Sequence, residues 1–421
     1  MKILLLDFCS EKNRGDAAMQ VGLIELVYQN FQDPEVSIIS VYGANQSKNL
    51  QDEFDHSTKY PVTILGGLRP TFYPINGKEQ NSTLRFELLQ MLNFIPCLLL
   101  PLALKLHVPL KLIKRFLPKY YRNTFDQMVS ADIVIWKGKN FRSRKNKILE
   151  IYRTLVLIYH PLFCSILSKP LGCVGTSVWS LNSPISRFFL KTIFEKCTFI
   201  SAREEKSYRE LVKLMGDKST SQLDLLPDLS YAAMADRKDS LQKRRRILNT
   251  AYPQRVGMTI VDWKDEGTEV RNTYKKSIVA LISFLIEKGS EIVLIPQVTK
   301  NWESNADLIL EMVSNSDIQK HITRVEGQPS VNELLTIYSN LDFLVASRMH
   351  SAIFASAVNT PLVAVAYDSG GKWGILESLG YGDYIINYKD ITPEKLRERV
   401  ISCWENREQL LKYAETKIEE N

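Results

Sequence analysis

Short apolar runs alternate along the chain with longer stretches in which apolar residues recur at helical spacing. The short runs predict buried strands, and the longer stretches predict amphipathic helices. In the first half the predicted strands read KILLLDF, VSIISVY, VTILGG, ADIVIW, LGCVG and CTFIS. The predicted helices there cover residues 16–30, with Asp16 as the cap, and the segments KILEIYRTLVLIYHPLFCSIL and AREEKSYRELVKLM. This order predicts a parallel sheet with helices on both faces.

The second half repeats the alternation more regularly. Its predicted strands read RVGMTIV, EIVLIP, HITRVE, DFLVAS and PLVAVAY, and its helices include SNADLILEMVSN, VNELLTIYSN, residues 349–358 and GKWGILESLG. Between residues 232 and 254 the chain becomes charged and loses its periodicity, which predicts a domain boundary. We therefore predict an α/β protein with domains at residues 1–235 and 250–421, and a ligand cleft at the carboxyl ends of their strands.

Charge changes this picture only in the first half. The chain has 54 Lys+Arg against 47 Asp+Glu, and residues 88–125 contain no acidic residue. That insertion reads FIPCLLLPLAL and then KLHVPLKLIKRFLPKYYR. The apolar part of this segment is too short to span a bilayer. The pattern predicts either a membrane segment that lies on the surface or a buried helix with a solvated basic flank.

Two further basic runs, at residues 137–147 and 243–246, favour an anionic partner for the N-terminal half. Nucleic acid is not predicted, since few aromatic residues interleave with these charges and no known module is present. The six cysteines form no CxxC pair, which predicts neither a metal site nor a disulfide scaffold. The N-terminus is typical of a first strand and not of a signal peptide, so we expect a cytoplasmic protein.

The strongest candidate chemistry lies at Arg348-Met349-His350, directly after an apolar strand and at the start of a helix. A helix N-terminus favours anions, and an arginine can hold phosphate or carboxylate with two parallel hydrogen bonds. A histidine can move a proton near neutral pH. We predict an anion site with a proton carrier here; the alternative is that Arg348 forms a structural ion pair and His350 caps the helix.

Three weaker candidates share the same kind of position. Asn13, Gly15 and Asp16 connect the first strand to the first helix, Arg203 begins a helix after CTFIS, and Lys372 follows a Gly-Gly loop. The alternatives are a plain capping turn, an exposed arginine and a solvent-facing loop. The chain has no GxGxxG, Walker A, HExxH or GxSxG motif, so the activities tied to those motifs are not predicted.

Taken together, these motifs resemble the polysaccharide pyruvyl transferase family. NRGDAAMQVGL is similar to that family's early N-x-G-D element, and SAREEKSYREL is similar to its S-x-R-[DE]-x-x-S element. PDLSYA resembles its aspartate-bearing segment. ASRMHSAIFASAVNTPLVAVAY matches its R-x-H-x-x-I-x-A pattern, and the elements follow the family order.

The resemblance implies two Rossmann-like domains facing across a cleft, as in GT-B glycosyltransferases. It implies transfer of pyruvate from phosphoenolpyruvate, a co-substrate, onto sugar hydroxyls as a ketal, without a metal or cofactor. On the family pattern, Arg203, Arg348, Met349 and, more weakly, Lys372 bind the donor. His350 is the catalytic acid and base, and Arg348 acts with it.

The departures from the family lie in the first half, where we expect the acceptor. Trp136-Lys137-Gly138-Lys139-Asn140 replaces a glycine-rich turn, residues 172–177 replace a GxGxGP-like segment, and Leu229 replaces a proline. Asn13, Gly15, Asp16, Lys137 and Lys139 are the candidate acceptor-side residues. They would serve a sugar or lipid-linked oligosaccharide at the inner face of the plasma membrane. Two rival functions stay open: a glycosyltransferase with a nucleotide-sugar donor, and a non-catalytic partner in polysaccharide assembly.

Overall fold

The computed structural model divides the chain into two compact units. Unit 1 comprises Met1–Glu11 and Gln20–Leu229, and unit 2 comprises Lys12–Met19 and Ser230–Asn421. The described residues are 1–45, 50, 53–54, 59–69, 84–144, 146–216, 221–235, 250–262, 267–298, 310, 313, 316–367 and 373–420.

Unit 1 is built on one parallel sheet with the strand order β3-β2-β1-β4-β6-β7-β8, and β5 pairs with β6. The strands are β1 Lys2–Phe8, β2 Glu35–Gly43, β3 Thr63–Gly67, β4 Ile133–Lys137, β5 Asn140–Phe141, β6 Leu171–Val178, β7 Phe199–Ala202 and β8 Leu223–Leu225. Each strand predicted for the first half is present. The short strands β5 and β8 were not predicted, because two or three residues show no periodicity.

Helices connect these strands. They are α1 Arg14–Asn30, α2 Leu84–Lys105, α3 Leu110–Phe116, α4 Lys119–Ser130, α5 Lys147–Ile166, α6 Pro184–Phe194 and α7 Glu205–Met215. The prediction that Asp16 caps the first helix is wrong. The helix begins two residues earlier, and the side-chain oxygen of Asn13 accepts a hydrogen bond from Gly15 N at 3.3 Å.

The basic and apolar insertion folds as α2, α3 and the start of α4. Its inward side chains Phe94, Leu104 and Ile113 join the core of unit 1. Many of its other apolar side chains are exposed, so it is neither a fully buried helix nor a loop. Among the described helices, none combines the length and the apolar composition needed to cross a bilayer.

Unit 2 has a second parallel sheet with the order β11-β10-β9-β12-β13-β14. Its strands are β9 Arg255–Thr259, β10 Glu291–Leu294, β11 Ile322–Arg324, β12 Phe343–Ala346, β13 Leu362–Ala366 and β14 Ile385–Asn387. Its helices are α8 Ala232–Ala235, α9 Thr268–Glu287, α10 Ser316–Gln319, α11 Val331–Ser339, α12 Met349–Ala357, α13 Gly374–Ser378, α14 Pro393–Glu405 and α15 Arg407–Glu420. The two parallel sheets confirm the predicted α/β class.

The division into units differs from the predicted domains in two respects, because residues 12–19 and residues 230–235 both belong to unit 2. The first turns of α1 belong to unit 2, because Ala17 and Ala18 are fully buried in its hydrophobic core. Along the rest of the chain the units divide between Leu229 and Ser230. The predicted helix SNADLILEMVSN and the basic run at 243–246 lie almost wholly outside the described residues.

Candidate active site

The turn between β12 and α12 holds Arg348 in a fixed place in unit 2. Arg348 is the N-cap of α12, in extended conformation, and makes no side-chain capping bond. The preceding residue, Ser347, is fully buried and donates its N–H to Thr259 O at 3.0 Å. Ser351 Oγ donates to Arg348 O at 2.5 Å. The backbone on both sides of the arginine is therefore fixed by hydrogen bonds.

The guanidinium of Arg348 has no carboxylate partner among the described residues. Burial lowers its pKa, an effect that the hydroxyls of Tyr367 and Tyr274 oppose. A partly buried cation without a counter-ion costs free energy, and a bound anion would offset that cost. The N-terminus of α12 adds partial positive charge at the same place. The arrangement is suited to hold an anion.

Tyr274 of α9 is a neighbour of Arg348 that the sequence pattern did not single out. Its hydroxyl lies 2.8 Å from Ser347 Oγ and accepts the N–H of Val261 at 3.3 Å. Burial raises its pKa, so the phenol stays protonated at neutral pH. In the sequence this tyrosine occupies an apolar position of an amphipathic helix and resembles any core residue.

His350 packs directly against Gly15. A Cβ on Gly15 would lie 2.1 Å from His350 Nδ1 and 2.2 Å from its Cγ, far inside any real contact. Only glycine leaves space for the imidazole in this position. The structure thus brings together two motifs that lie far apart in the sequence, and it does so within unit 2.

The N-terminal motif is held in place by its own side chains. Asn13 Nδ2 donates to Asp16 Oδ2 at 2.8 Å, and Ala17 N donates to Asn13 O at 3.0 Å. Asn13 also forms an isolated antiparallel bridge with Val298. These bonds engage the polar groups of Asn13 and Asp16 in shaping the turn that carries Gly15.

Arg14 is a second residue that sequence reasoning missed, and it anchors the same turn. It is 2% exposed, its N–H donates to Gln297 O at 3.2 Å, and its Nη2 donates to Gln328 O at 2.9 Å. It also lowers the pKa of Glu333, although less than the bonds from Ser330 do. Arg14 therefore fastens Gly15 to unit 2, and nothing in its sequence context distinguishes it from a surface arginine.

Arg203 lies in unit 1, at the end of β7, with its donors engaged by internal partners. Its Nε donates to Ser177 Oγ, its Nη1 to Asp228 Oδ2 and its Nη2 to Asn140 Oδ1, each at 2.8 Å. Glu204 lies 3.4 Å from its Nε. Arg203 and both carboxylates are buried. The residue thus joins two of the family-like elements, and its predicted contact with the donor stays a prediction.

Lys137 and Lys139 also point to internal partners of unit 1. Lys137 is 1% exposed and its Nζ lies 3.4 Å from Gln20 Oε1. Lys139 donates to Asp7 O and lies 3.4 Å from Cys9 Sγ. These contacts stabilise the end of β1, and a role toward the acceptor stays a prediction.

A buried acid–histidine pair lies at the same end of β1. Asp7 Oδ1 is 2.7 Å from His160 Nδ1, and His160 Nε2 accepts the N–H of Leu68 at 3.1 Å. Burial lowers the pKa of His160, so the ring is neutral and donates to Asp7. Burial alone raises the pKa of Asp7, but His160, Arg69 and Lys139 together hold it at about 2. Sequence reasoning passed over both residues.

The two remaining predicted donor residues are placed as follows. Met349 is 5% exposed and packs in the hydrophobic core of unit 2, and its predicted contact with the donor stays a prediction. Lys372 lies outside the described residues.

No group of three His, Cys, Asp or Glu side chains within the described ranges is arranged to hold a metal ion.

Comparison with known proteins gives one family and several structural neighbours. The family model described as "Polysaccharide pyruvyl transferase" matches residues 13–369. The "Amylovoran biosynthesis protein AmsJ" of Erwinia amylovora is 20% identical over 422 residues, covering 97% of this chain and 94% of that protein.

Among solved structures, the UDP-GlcNAc 2-epimerase of Methanocaldococcus jannaschii is 14% identical with a TM-score of 0.51, over 96% of this chain and 92% of that one. UGT73P12 of Glycyrrhiza uralensis, in complex with glycyrrhetinic acid 3-O-monoglucuronide, is 11% identical with a TM-score of 0.52, over 100% and 91%. At such identity the likeness shows the fold, which is GT-B-like.

Proposed function

The chain belongs to the polysaccharide pyruvyl transferase family, and on that premise we propose that it moves pyruvate from phosphoenolpyruvate onto two sugar hydroxyls as a ketal. The relative in amylovoran biosynthesis supports a place in exopolysaccharide synthesis. The observation that carries the proposal is the guanidinium of Arg348, which has no carboxylate partner among the described residues and stands at the N-cap of the helix whose second residue is His350.

The donor's charges suit this turn. Phosphoenolpyruvate carries a phosphate and a carboxylate, and a guanidinium binds either of them through two parallel hydrogen bonds. The N–H groups in the first turn of α12 supply further donors. Arg348 would hold the donor and stabilise negative charge as the phosphate leaves.

The reaction needs three proton movements and one bond cleavage. The methylene carbon of the enol gains a proton, and a sugar hydroxyl attacks the central carbon and loses its proton. The bond from that carbon to the phosphate oxygen breaks, and a second hydroxyl attacks the same carbon and loses its proton. One of the two released protons replaces the one consumed, and the other leaves with phosphate. His350 would move these protons.

A direct assay tests the proposal. The protein is incubated with phosphoenolpyruvate and a panel of free and lipid-linked sugars, and both phosphate release and the mass gained by the acceptor are measured. The His350→Ala variant should stay folded and lose about 10²–10⁴-fold in rate, the usual worth of positioned acid-base catalysis. Near-normal pyruvylation by that variant would show that the assignment of His350 is wrong.

Melting temperature separates the proposal from the nucleotide-sugar alternative. A ligand that binds the folded state raises the melting temperature as its concentration passes its dissociation constant. Phosphoenolpyruvate should produce this shift and UDP-sugars should not. The reverse pattern would favour a glycosyltransferase and reject the proposed donor.

A further inference from the structure

The helices α2 and α3 expose an unusual amount of apolar surface. Leu99 is 63% exposed, Leu106 is 69% exposed and Phe116 is 79% exposed. The exposed large apolar side chains of this region, here called the α2–α3 surface, are Leu92, Ile95, Leu98, Leu99, Leu102, Leu106, Leu110, Leu112 and Phe116. Exposed apolar side chains concentrated on two consecutive helices are typical of a site of interaction with a protein or a membrane.

The inner face of the same helices already packs on unit 1. Phe94, Leu104 and Ile113 are buried in its core. The helices are therefore apolar on the side that faces the core and on the side that faces out. A helix attached to a domain core needs only one apolar face for that attachment, so the outer face is left to contact something else.

The charges next to the α2–α3 surface have one sign. Lys105, Lys111, Arg115 and Lys119 are exposed there, and residues 88–125 contain no acidic side chain. Lys114 is already paired with Asp126 at 2.6 Å. Apolar side chains bordered by lysine and arginine are complementary to a lipid bilayer with anionic headgroups, where the apolar groups enter the interface and the cations meet phosphates.

We propose that the α2–α3 surface docks the protein on the surface of an anionic membrane. The helices lie in the interface plane, with Leu99, Leu106 and Phe116 inserted and the four exposed cations at headgroup level. This proposal concerns a surface of unit 1 and does not depend on the chemistry assigned to Arg348 and His350. Each of the two proposals can fail while the other stands.

A second copy of the chain is the competing occupant. Leu92, Ile95, Leu99, Leu102 and Leu106 recur at the three- and four-residue spacing of a helix–helix seam. A two-fold interface, however, places the same patch of each subunit against its twin. The cations beside the seam would then face cations, with no acidic side chain in the segment to neutralise them. Anionic lipid has no such conflict, and for that reason we favour it.

Flotation with liposomes tests the proposal on the full chain. Vesicles of phosphatidylglycerol and phosphatidylcholine should carry the protein to the top of the gradient at low salt, and vesicles of phosphatidylcholine alone should carry much less. Replacing Leu99, Leu106 and Phe116 by Gln should reduce the bound fraction at least about tenfold, since binding scales with apolar area. Replacing Lys105, Lys111 and Arg115 by Gln should remove the preference for anionic vesicles.

A matched control uses exposed apolar residues elsewhere in unit 1. Ile185 and Phe188 of α6 are 51% and 65% exposed, and their replacement by Gln should leave flotation unchanged. Since the replaced side chains are exposed, all variants should keep the wild-type melting temperature. Sedimentation velocity is measured without vesicles. No flotation of the wild type, or a concentration-dependent dimer that Leu99→Gln and Leu106→Gln dissolve, would overturn the proposal.

Discussion

Arg203 and Arg348 have the same local context and opposite surroundings. Each follows an apolar strand and stands at the start of a helix. Arg203 is surrounded by the buried carboxylates of Asp228 and Glu204 and by two neutral acceptors, all of them in unit 1. Arg348 has no carboxylate within ion-pair distance among the described residues of unit 2.

The difference teaches that the same position after a strand can place an arginine among buried carboxylates or leave it without one. A buried cation with its own carboxylates holds a fold together, and removing one member leaves the other charge without compensation. A partly buried cation without a carboxylate lowers stability until an anion binds. The two arginines should therefore respond to substitution in different measurements.

The largest effect is expected at Arg203. Arg203→Met should lower the free energy of unfolding by about 3–5 kcal/mol, because Asp228 and Glu204 then stay buried without their counter-charge. Chemical unfolding followed by far-UV circular dichroism measures it. The double variant Arg203→Met, Asp228→Leu should regain part of the loss. If Arg203→Met kept wild-type stability but no longer responded to phosphoenolpyruvate, the predicted role of Arg203 as a donor-binding residue would be favoured over the structural one.

Arg348 should show the opposite pattern. Arg348→Met should leave the melting temperature unchanged or raise it, because a desolvated cation is removed. The rate should fall about 10²–10³-fold, the usual cost of losing one preorganised donor to a developing charge. Arg348→Lys should not restore it, since lysine cannot make two parallel bonds. A stability loss like that of Arg203→Met would show that both arginines are structural.

A smaller effect is expected from a substitution at Gly15. It sharpens the comparison, because it moves the side chain of His350 and leaves Arg348 in place. The added methyl of Gly15→Ala would lie 2.1 Å from His350 Nδ1, so the ring must shift. We expect kcat to fall about 10²-fold, the scale of a 1 Å misplacement, with little change in KM for phosphoenolpyruvate. Gly382→Ala, which has open space for a methyl, is the control. Equal activity in both variants would exclude Gly15 as a positioning residue.

The smallest effect is expected in the pH dependence of stability, and it comes from His160, a histidine buried in unit 1. The pKa of His160 is lowered by burial, so below its ordinary pKa of about 6.5 the unfolded chain binds a proton that the folded chain does not. Stability should fall as pH drops from about 6.5, by at most about 1.4 kcal/mol per pH unit. Asp7, with a pKa of about 2, adds a second loss between about pH 4 and pH 2.

Unfolding measured from pH 7 to pH 5 tests this slope. The slope should shrink in His160→Gln, which removes the titrating ring. It should persist in His321→Gln, a matched substitution at an exposed histidine. An unchanged slope in His160→Gln would contradict the assignment of the pH dependence to this residue.

The sequence predicts the sheets well because long apolar strands carry their own signal. KILLLDF and VSIISVY each lie in a strand of the structure, and DFLVAS contains the strand β12. The strands β5, β8 and β14 escape prediction, since they have at most three residues and form only beside a longer neighbour. Helix α1 is predicted, but the predicted cap, Asp16, lies three residues after the observed one, Asn13.

The candidate site is predicted in its chemistry and not in its contacts. Arg348 and His350 stand out because a strand end that opens a helix is a recognisable place for a ligand. That Gly15 packs on His350 depends on tertiary structure between distant segments, and a single sequence carries no signal for it. The same holds for Tyr274, and for the carboxylates that distinguish Arg203 from Arg348.

The assignment of residues 12–19 to unit 2 has a consequence for how the chain is made. A ribosome completes this segment long before it reaches Gln297, Gln328 and His350, so the segment must stay accessible while the whole of unit 1 is synthesised. The turn carrying His350 acquires its glycine neighbour only after these late residues emerge. A C-terminal fragment would lack that neighbour, so mixing it with a separately made peptide of residues 1–30 is the way to look for complementation.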